Sequence, residues 1–440
     1  MSAPIRAPEF EQMLRPEIKR LQSERLRAIV RHVYANVPFY RKAFDERSVR
    51  PDQIRSIDDL PRLPFTAKAD FKSTYPYGLL AVPLEQVVRV HASSGTTGKP
   101  IVSAYTRNDI ATWAEILARA LATAGMTSDD VYQNCQGYGL FTGGLGWHYG
   151  AELLGATVVP TATGNTRRQI TMMQDLGTTV LGSTPSYALI IAETAREMGV
   201  DIRETKLRLA LCGAEPWSEQ MRKDIEERLG VTAFDNYGLT EVIGPGVSAE
   251  CEYHCGLHVP EDHFIVEIVN PQTGETLPYG ETGELVVTTL TKEALPVIRF
   301  RTRDITSLNP EPCRCGRTQV RMARVTGRSD DMLIVRGVNV FPSQIESVLL
   351  AIEGIEPQYQ IIVDRQHAFS FTDIEVRCEV TDSVAGDPSK IASLEQQVRT
   401  LLDSVLGIST RVKLLALGTL PRSEGKAKRV FDRADLERAT

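Results

Sequence analysis

Residues 91–100, His-Ala-Ser-Ser-Gly-Thr-Thr-Gly-Lys-Pro, combine the residue types that bind polyphosphate. Two glycines let the backbone turn so that N–H groups converge on an anion, while hydroxyls and a lysine add donors and charge. The candidate phosphate-binding residues are Ser93, Ser94, Gly95, Thr96, Thr97, Gly98 and Lys99. The stretch is not a Walker A motif, because Ser93 stands at its first glycine position and Pro100 at its hydroxyl position. Two interpretations stay open: a phosphate-binding loop and a polar hairpin turn.

A second candidate stretch, residues 235–241, reads Asp-Asn-Tyr-Gly-Leu-Thr-Glu. Tyr237 offers a flat face for a purine, Thr240 a hydroxyl for phosphate, and Glu241 a carboxylate for Mg²⁺. The same residues also suit the exit of a strand into a turn. This stretch by itself therefore indicates a nucleotide site only weakly.

Two further segments carry one reactive group each. Asp304 closes a β-like run of arginines, and its carboxylate could accept both hydroxyls of a ribose. Lys426 lies in Pro-Arg-Ser-Glu-Gly-Lys near the C-terminus, where a lysine after a glycine could bring charge to a transition state. The alternatives are a salt-bridged surface strand for Asp304 and a solvated basic tail for Lys426.

Four residues have the donor types of a structural zinc site: Cys251, His258, Cys313 and Cys315. The spacing of one residue in the second cysteine pair differs from the usual two, and Cys255 or His254 could replace a ligand of the first pair. Unligated reduced cysteines are the alternative. The remaining cysteines have apolar neighbours and are predicted to be buried, inert thiols; they are Cys135, Cys212 and Cys378.

The bulk composition indicates a soluble globular protein of two domains. The chain has 440 residues, 42% hydrophobic and 24% charged, with a net charge of −6. This charge argues against a protein that coats nucleic acid or anionic lipid, and favours small-molecule partners. Neither a secretory h-region nor a membrane-length apolar run is found, so we expect a cytoplasmic protein. Seven cysteines without a signal peptide argue against a disulfide framework.

The spacing of apolar residues along the chain predicts the helices and strands that must position these residues. Residues 17–47 form an amphipathic helical opening, which is a candidate homodimer surface. Between residues 100 and 240, helical and β-like runs alternate, which predicts parallel α/β sheets. Strand-like runs at 264–269, 283–289 and 297–301 predict a β-rich subdomain. The pattern of strand-like and helix-like runs changes near Asp330, which predicts two domains, residues 1–329 and 330–440.

The order of these motifs resembles the adenylate-forming superfamily of acyl-CoA synthetases, luciferases and peptide-synthetase adenylation domains. Residues 93–100 match the phosphate loop of that superfamily, and residues 237–241 match its Tyr-Gly-x-Thr-Glu motif. Asp304 matches its ribose-binding acid, residues 327–331 its hinge motif, and Lys426 its catalytic lysine. A shorter branch, the phenylacetate-CoA ligases, is more closely similar. The segments that carry this closer resemblance are residues 93–100, 261–264, 290–299, 327–346 and 421–426.

The resemblance implies an α/β fold: a large N-terminal domain of α/β sheets with a β-rich subdomain, and a small mobile α+β C-terminal domain. It implies that Thr240 and Lys426 stabilise charge while a carboxylate attacks ATP, and that Glu241 holds Mg²⁺. The small domain would then rotate about Asp330 and admit coenzyme A. Beyond the phosphate loop, the implied ATP and AMP site consists of Gly213, Ala214, Glu215, Asn236, Tyr237, Gly238, Thr240, Glu241, Asp304 and Arg328.

The acyl pocket is predicted from residues 138–147, which are rich in glycine and aromatics, as a flat aromatic acid requires. Tyr138, Phe141 and Ala214 are the expected wall residues, with aromatic core packing as the alternative. The resemblance implies a ligase that uses ATP, Mg²⁺ and coenzyme A on an aryl acid, with phenylacetate favoured and structural Zn²⁺ present. A different acceptor, such as a deazaflavin cofactor or a carrier protein, and a silent nucleotide-binding scaffold are the alternatives.

Overall fold

The computed structural model describes residues 3–93, 100–329, 333–336, 338–367, 370–422, 428–434 and 436. Among the predicted site residues, those from 94 to 99, Asp330 and Lys426 lie outside the described residues.

The α-helices are α1 (Pro8–Glu11), α2 (Arg15–Asn36), α3 (Pro38–Glu46), α4 (Lys68–Ser73), α5 (Arg107–Thr123), α6 (Gly143–Leu154), α7 (Thr166–Asp175), α8 (Pro185–Glu197), α9 (Glu219–Leu229), α10 (Pro342–Leu350), α11 (Asp382–Ala385) and α12 (Pro388–Leu406). The strands of the first three sheets are β1 (Arg89–Ala92), β2 (Val102–Tyr105), β3 (Val131–Asn134), β4 (Thr157–Val159), β5 (Val180–Ser183), β6 (Leu209–Gly213), β7 (Thr232–Leu239), β8 (Gly244–Glu250), β9 (Leu257–His258), β10 (Phe264–Val269), β11 (Gly283–Thr289), β12 (Phe300–Thr306), β13 (Leu308–Asn309), β14 (Arg321–Met322) and β15 (Gly327–Arg328). The later strands are β16 (Leu333–Val335), β17 (Val338–Val340), β18 (Ile355–His367), β19 (Ser370–Val380), β20 (Arg411–Leu415) and β21 (Val430–Asp432).

The predicted helical opening is confirmed as two helices, α2 and α3. Leu26, Val30 and Val33 recur at intervals of four and three residues and are fully buried, as the periodicity requires. The helix breaks at Val37, because Pro38 has no N–H to donate and begins the next helix at its first position.

The largest sheet has the order β13-β14-β9-β8-β7-β6-β5-β3-β4. From β4 to β7 its neighbouring strands are parallel, and helices alternate with them along the chain, as predicted. From β7 onward the pairing is antiparallel, because β7 reaches β8 through a connection of only four residues. The sheet is therefore mixed, which the alternation in the sequence did not predict.

The predicted β-rich subdomain is confirmed as the antiparallel sheet β10-β11-β12-β15. The predicted bounds of β10 and β11 are confirmed, but the strand predicted at residues 297–301 is wrong: β12 covers Phe300–Thr306. The backbone of Arg299 has φ of 44°, which interrupts an extended chain just before β12. Asp304 consequently lies inside a strand and not at its end.

The C-terminal part forms its own sheet, β17-β16-β19-β18-β21, with β20 paired to β19. Most of its buried apolar side chains, including Ile345, Ile361 and Val398, form a core of their own, while Leu350 of α10 packs into a core of the N-terminal part. The predicted fold class of a large N-terminal and a small C-terminal part is thereby confirmed, while the boundary at residue 330 stays a prediction. Within the part of the chain that the structure describes, no helix is both long enough and apolar enough to cross a membrane.

Candidate active site

A cleft of about 470 Å³ opens at the carboxyl ends of the parallel strands β5, β6 and β7. Ligands of open α/β sheets bind at this edge, because loops there leave adjacent strands in different directions. Thr184 follows β5, Ala214 follows β6, and Thr240 follows β7, and all three line the cleft. The predicted residues that line it are Ser93, Phe141, Ala214, Glu215, Asn236, Tyr237, Gly238, Thr240, Glu241, Asp304 and Arg328.

Two residues that lie far from Asp304 in sequence contact its carboxylate in this cleft. Arg328 Nη1 donates to Asp304 Oδ1 at 2.9 Å, and the Tyr237 hydroxyl donates to the other oxygen of Asp304. Pairing of β12 with β15 places Asp304 opposite Arg328. Burial, followed by the charge of Asp304, raises the pKa of Tyr237 well above its usual value. The phenol therefore stays protonated as a donor, and the carboxylate is held ready to accept the hydroxyls of a diol.

Glu241 brings a carboxylate, the oxygen donor type that Mg²⁺ prefers, to the cleft. It is 9% exposed and lines the cleft beside Thr240, on the connection between β7 and β8. Burial raises the pKa of Glu241, because charge is disfavoured away from water. Tyr105 supports this connection by donating to the carbonyl of Ile243 at 2.9 Å. A buried carboxylate that faces the cleft fits the ligand preference of Mg²⁺, whose charge would favour its ionised form.

The predicted adenine-binding segments lie side by side. Gly213 pairs with Asn236, and a Cβ on Gly213 would lie 2.5 Å from the Asn236 carbonyl oxygen, so glycine is required there. Asn236 Nδ2 donates to the Cys212 carbonyl at 2.6 Å, which fixes the amide. Ala214 then turns the chain with φ of 71°. The two segments form one wall of the cleft.

The candidate phosphate-binding stretch follows β1, which pairs antiparallel with β2. Ser93 lines the cleft, and its Oγ accepts a hydrogen bond of 3.0 Å from the Ile101 N–H across the hairpin. The hairpin and the phosphate-binding interpretation are therefore compatible, since the strand leads directly to the cleft.

Two of the three residues predicted to form the wall of the acyl pocket line the cleft. Phe141 and Ala214 line the cleft, together with Trp147 and Tyr187. Tyr138 is not among the lining residues: its hydroxyl accepts from Asn134 Nδ2 at 2.9 Å, and its ring stands edge-on to His148. The wall at this end is mainly aromatic and apolar.

Sequence reasoning missed several lining residues. Thr184 and Tyr187 begin α8, and the available signal was Ser-Thr-Pro directly after a buried strand. Asp235 belongs to the quoted motif, yet no role was predicted for it; burial raises its pKa to about 6. Arg324 Nε lies 3.4 Å from Asp235 Oδ2, and no local motif marks this contact.

The predicted cysteine and histidine donors are brought together at the edge of the large sheet. The ligating atoms of Cys251, His258, Cys313 and Cys315 all lie within 4.8 Å of one another, and all four residues are buried. The Cys251 and Cys313 sulfurs are 3.7 Å apart, and Cys315 Sγ is 3.5 Å from His258 Nε2. Tetrahedral Zn–S bonds of about 2.3 Å separate two sulfurs by about 3.8 Å. The donor set and its spacing thus fit zinc.

Of the two alternative ligands, His254 contacts other residues, whereas Cys255 lies at the exposed edge of the cluster. His254 Nδ1 is 2.8 Å from Arg222 Nη1 and 3.2 Å from the buried carboxylate of Glu250. Cys255 is exposed and accepts from Arg321 Nη1 at 2.8 Å, although its sulfur is 3.4 Å from Cys313.

The three cysteines predicted to be buried thiols are buried, as expected. Burial raises the pKa of Cys135 and of Cys378 to about 12, and it raises that of Cys212 as well. Thiols with such pKa values stay protonated and unreactive at neutral pH.

Family models match both parts of the chain. The model described as AMP-binding enzyme matches residues 14–290, and the model described as AMP-binding enzyme C-terminal domain matches residues 337–434. The chain belongs to the AMP-binding enzymes. The resemblance inferred from the five motifs is thereby confirmed.

Relatives of this AMP-binding enzyme include curated proteins of nearly the same length. A phenylacetate-coenzyme A ligase of Thermus thermophilus is 49% identical over 97% of this chain and 98% of its own. One of Escherichia coli is 50% identical over 94% of this chain and 95% of its own.

Solved structures resemble the AMP-binding enzyme over almost its whole length. A 2-hydroxyisobutyryl-CoA ligase in the postadenylation state, 27% identical, superimposes with a TM-score of 0.92 over 98% of this chain and 93% of that one. The same ligase in the thioesterification state gives a TM-score of 0.72 over 98% and 94%. The arrangement described here therefore matches the postadenylation structure better.

Proposed function

We propose that this protein is an ATP-dependent acid–thiol ligase that adenylates an aryl carboxylic acid, with phenylacetate favoured, and transfers the acyl group to coenzyme A. AMP and pyrophosphate are the other products. The observation that carries the proposal is the convergence of Tyr237, Asp304, Arg328 and Glu241 on one cleft at the carboxyl edge of the sheet. Full-length relatives that are about half identical support it.

In the first half-reaction, the acid's carboxylate oxygen attacks the α-phosphorus of ATP, and the bond to pyrophosphate breaks. Asp304 holds the ribose hydroxyls, while the wall formed by Ala214 and Tyr237 binds the adenine. Thr240, 5% exposed and facing the cleft, donates to the phosphate as charge develops on its oxygens. We assign Lys426 the same task from the sequence.

Two metal ions belong to this proposal. Glu241 would hold Mg²⁺, which when bound neutralises charge on the phosphates of ATP. Cys251, His258, Cys313 and Cys315 would hold a structural Zn²⁺, since three sulfurs and one imidazole nitrogen complete a closed tetrahedral set without an open position.

In the second half-reaction, the thiol of coenzyme A attacks the acyl carbonyl, and AMP leaves. We assign the change between the two half-reactions to rotation of the C-terminal part about Asp330. The unequal TM-scores against the two states of the 2-hydroxyisobutyryl-CoA ligase support this assignment.

The choice of acid rests on the apolar end of the cleft. Phe141, Trp147 and Tyr187 present aromatic surface there, and Ala214 leaves room beside them. Flat rings pack well against such walls, in offset or edge-to-face geometry. This composition favours an aryl acid over a short polar one.

The test is a panel of aryl and alkyl acids with ATP, Mg²⁺ and coenzyme A, in which AMP and thioester are measured together. We expect both products in equal amounts, with phenylacetate giving the highest kcat/KM. AMP without thioester from every acid would contradict the ligase and favour transfer to another acceptor. No AMP from any acid would favour a nucleotide-binding scaffold.

A homodimer through the helices α2 and α3, and a cytoplasmic location, also belong to this proposal. Analytical ultracentrifugation of the purified protein tests the first, and fractionation of cells that express it tests the second.

A further inference from the structure

One arginine of the C-terminal part contacts two carboxylates from different parts of the molecule. Arg422 donates from Nη1 to Glu379 Oε1 and from Nη2 to Glu379 Oε2, both at 2.9 Å. It also donates from Nε to Glu193 Oε2 at 3.1 Å and from Nη2 to Glu193 Oε1 at 2.9 Å. Both contacts use the planar fork of the guanidinium, which is the strongest geometry for an arginine–carboxylate pair.

The two carboxylates have different roles. Glu379 lies in β19, its side chain is fully buried, and it also accepts from the Leu420 N–H at 2.6 Å. It therefore fixes Arg422 to the C-terminal sheet. Glu193 lies in α8 of the N-terminal part, with 18% of its side chain exposed. Of the two ion pairs that Arg422 makes, the pair with Glu193 is therefore the one that links the C-terminal part to the N-terminal part.

The helix that receives this contact also builds the active-site cleft. Thr184 caps the start of α8, and Tyr187 lies in its first turn; both line the cleft. A second arginine, Arg429, donates to Ser186 Oγ in the same turn at 3.3 Å. In the sequence, Arg422 and Arg429 stand on either side of Lys426. The C-terminal part therefore contacts α8 in its first turn and again one turn before its end, and this helix forms one side of the cleft.

We propose that Arg422 and Glu193 are positioning residues that hold the C-terminal part against α8 for adenylation and release it for thioester formation. This inference rests on the proposed two-step function. Its physical reason is that an ion pair between the two parts stabilises only the arrangement in which both partners meet. The described arrangement superimposes better on the postadenylation structure, with a TM-score of 0.92, than on the thioesterification structure, with 0.72.

The experiment compares the two half-reactions in Glu193→Gln, which keeps the shape of the side chain and leaves the pair of Arg422 with Glu379 intact. Adenylation is followed as acid-dependent exchange of pyrophosphate into ATP, and the second step as thioester formation from supplied acyl-adenylate and coenzyme A. We expect adenylation to slow roughly 5- to 10-fold, as for loss of a partly buried, bidentate ion pair, and thioester formation to stay within about twofold. KM for ATP stays unchanged, because Glu193 does not line the cleft.

The matched control is Glu197→Gln, one turn further along α8. Glu197 pairs with Arg167 inside the N-terminal part at 3.7 Å, and its side chain is 56% exposed. Both half-reactions should keep their wild-type rates in this variant. A merely structural pair at Glu193 would instead slow both steps by the same factor, and that result overturns the inference, as does unchanged adenylation in folded Glu193→Gln.

A second variant, Arg422→Lys, keeps the charge but removes the fork, and should show the same split between the half-reactions to a smaller extent. If a thermal melt shows that Glu193→Gln does not fold, Arg422→Lys becomes the test of the inference. An equal loss of rate in both half-reactions of Arg422→Lys then overturns the inference. Failure of the proposed function itself is distinguishable, since the wild-type protein would then show no acid-dependent exchange at all.

Discussion

At the scale of single residues, the site depends on neighbours more than on residue type. Asp304 is an ordinary carboxylate whose role comes from Arg328 on one oxygen and Tyr237 on the other. Most arginine–aspartate pairs on a protein surface contribute little to stability. Here the carboxylate is 7% exposed and lines the cleft, within reach of a ligand that enters it.

We expect Asp304→Asn to lower kcat/KM for ATP about 30- to 100-fold, because hydrogen bonds from the ribose to a charged acceptor are replaced by weaker ones. KM for the acid should change little, since the acid binds at the other end of the cleft. Steady-state kinetics with each substrate varied in turn would measure both effects.

Asp129→Asn is the matched control for this substitution. Asp129 is an exposed carboxylate that does not line the cleft, so its variant should keep wild-type kinetics. A rise in KM for the acid alone in Asp304→Asn would contradict the ribose assignment.

At the scale of elements, the cluster of three cysteines and one histidine brings together two segments that lie far apart in the sequence. Cys251 and His258 flank a short turn that leads into β9, whereas Cys313 and Cys315 lie in the connection from β13 to β14. Strand β14 pairs with β9 over only two residues. A metal ion bound across both loops would stabilise this edge of the large sheet.

We expect Cys313→Ser to lose bound zinc and to lower the thermal midpoint by about 5 °C or more, because a structural metal contributes directly to folding free energy. Cys255→Ser, the matched control, should keep both the metal and the midpoint. Elemental analysis and thermal melts measure these outcomes, and a gently purified wild-type protein without metal would remove zinc from the proposal.

At the scale of the whole molecule, two parts with largely separate cores serve one site in our proposal. Most buried apolar side chains of the C-terminal part, such as Val335 and Ile374, form a core of their own, whereas Leu350 of α10 packs into a core of the N-terminal part. Polar contacts between the parts include Arg228 with Glu356 at 3.1 Å and Arg422 with Glu193. Interfaces of this kind allow the rearrangement that one cleft with two half-reactions requires.

We expect Lys426→Ala to slow adenylation by about 100-fold or more, while thioester formation from supplied acyl-adenylate stays within a few fold. The reason is that, in our proposal, the lysine serves only the arrangement in which the C-terminal part closes on ATP. Single-turnover measurements of each half-reaction test this expectation. Equal losses in both steps would show that Lys426 acts in a different way.

The sequence by itself predicted the site's chemistry, because residues 93–100, 237–241, Asp304 and Lys426 are short motifs whose order along the chain is readable without a structure. It also predicted β10 and β11 with their bounds, since alternating burial sets the period of a strand. The four zinc-ligand candidates were identified from their residue types alone, although their spacing left alternatives open.

Only the tertiary structure decided which residues meet. It grouped Cys251, His258, Cys313 and Cys315 and left His254 outside that group. It turned Tyr138 toward His148 and brought Thr184 and Tyr187 into the cleft. It also joined Arg422 to Glu193 across 229 residues of sequence. The physical reason is that local pattern fixes the conformation of a segment, while the packing of sheets and helices fixes the distance between side chains that lie far apart along the chain.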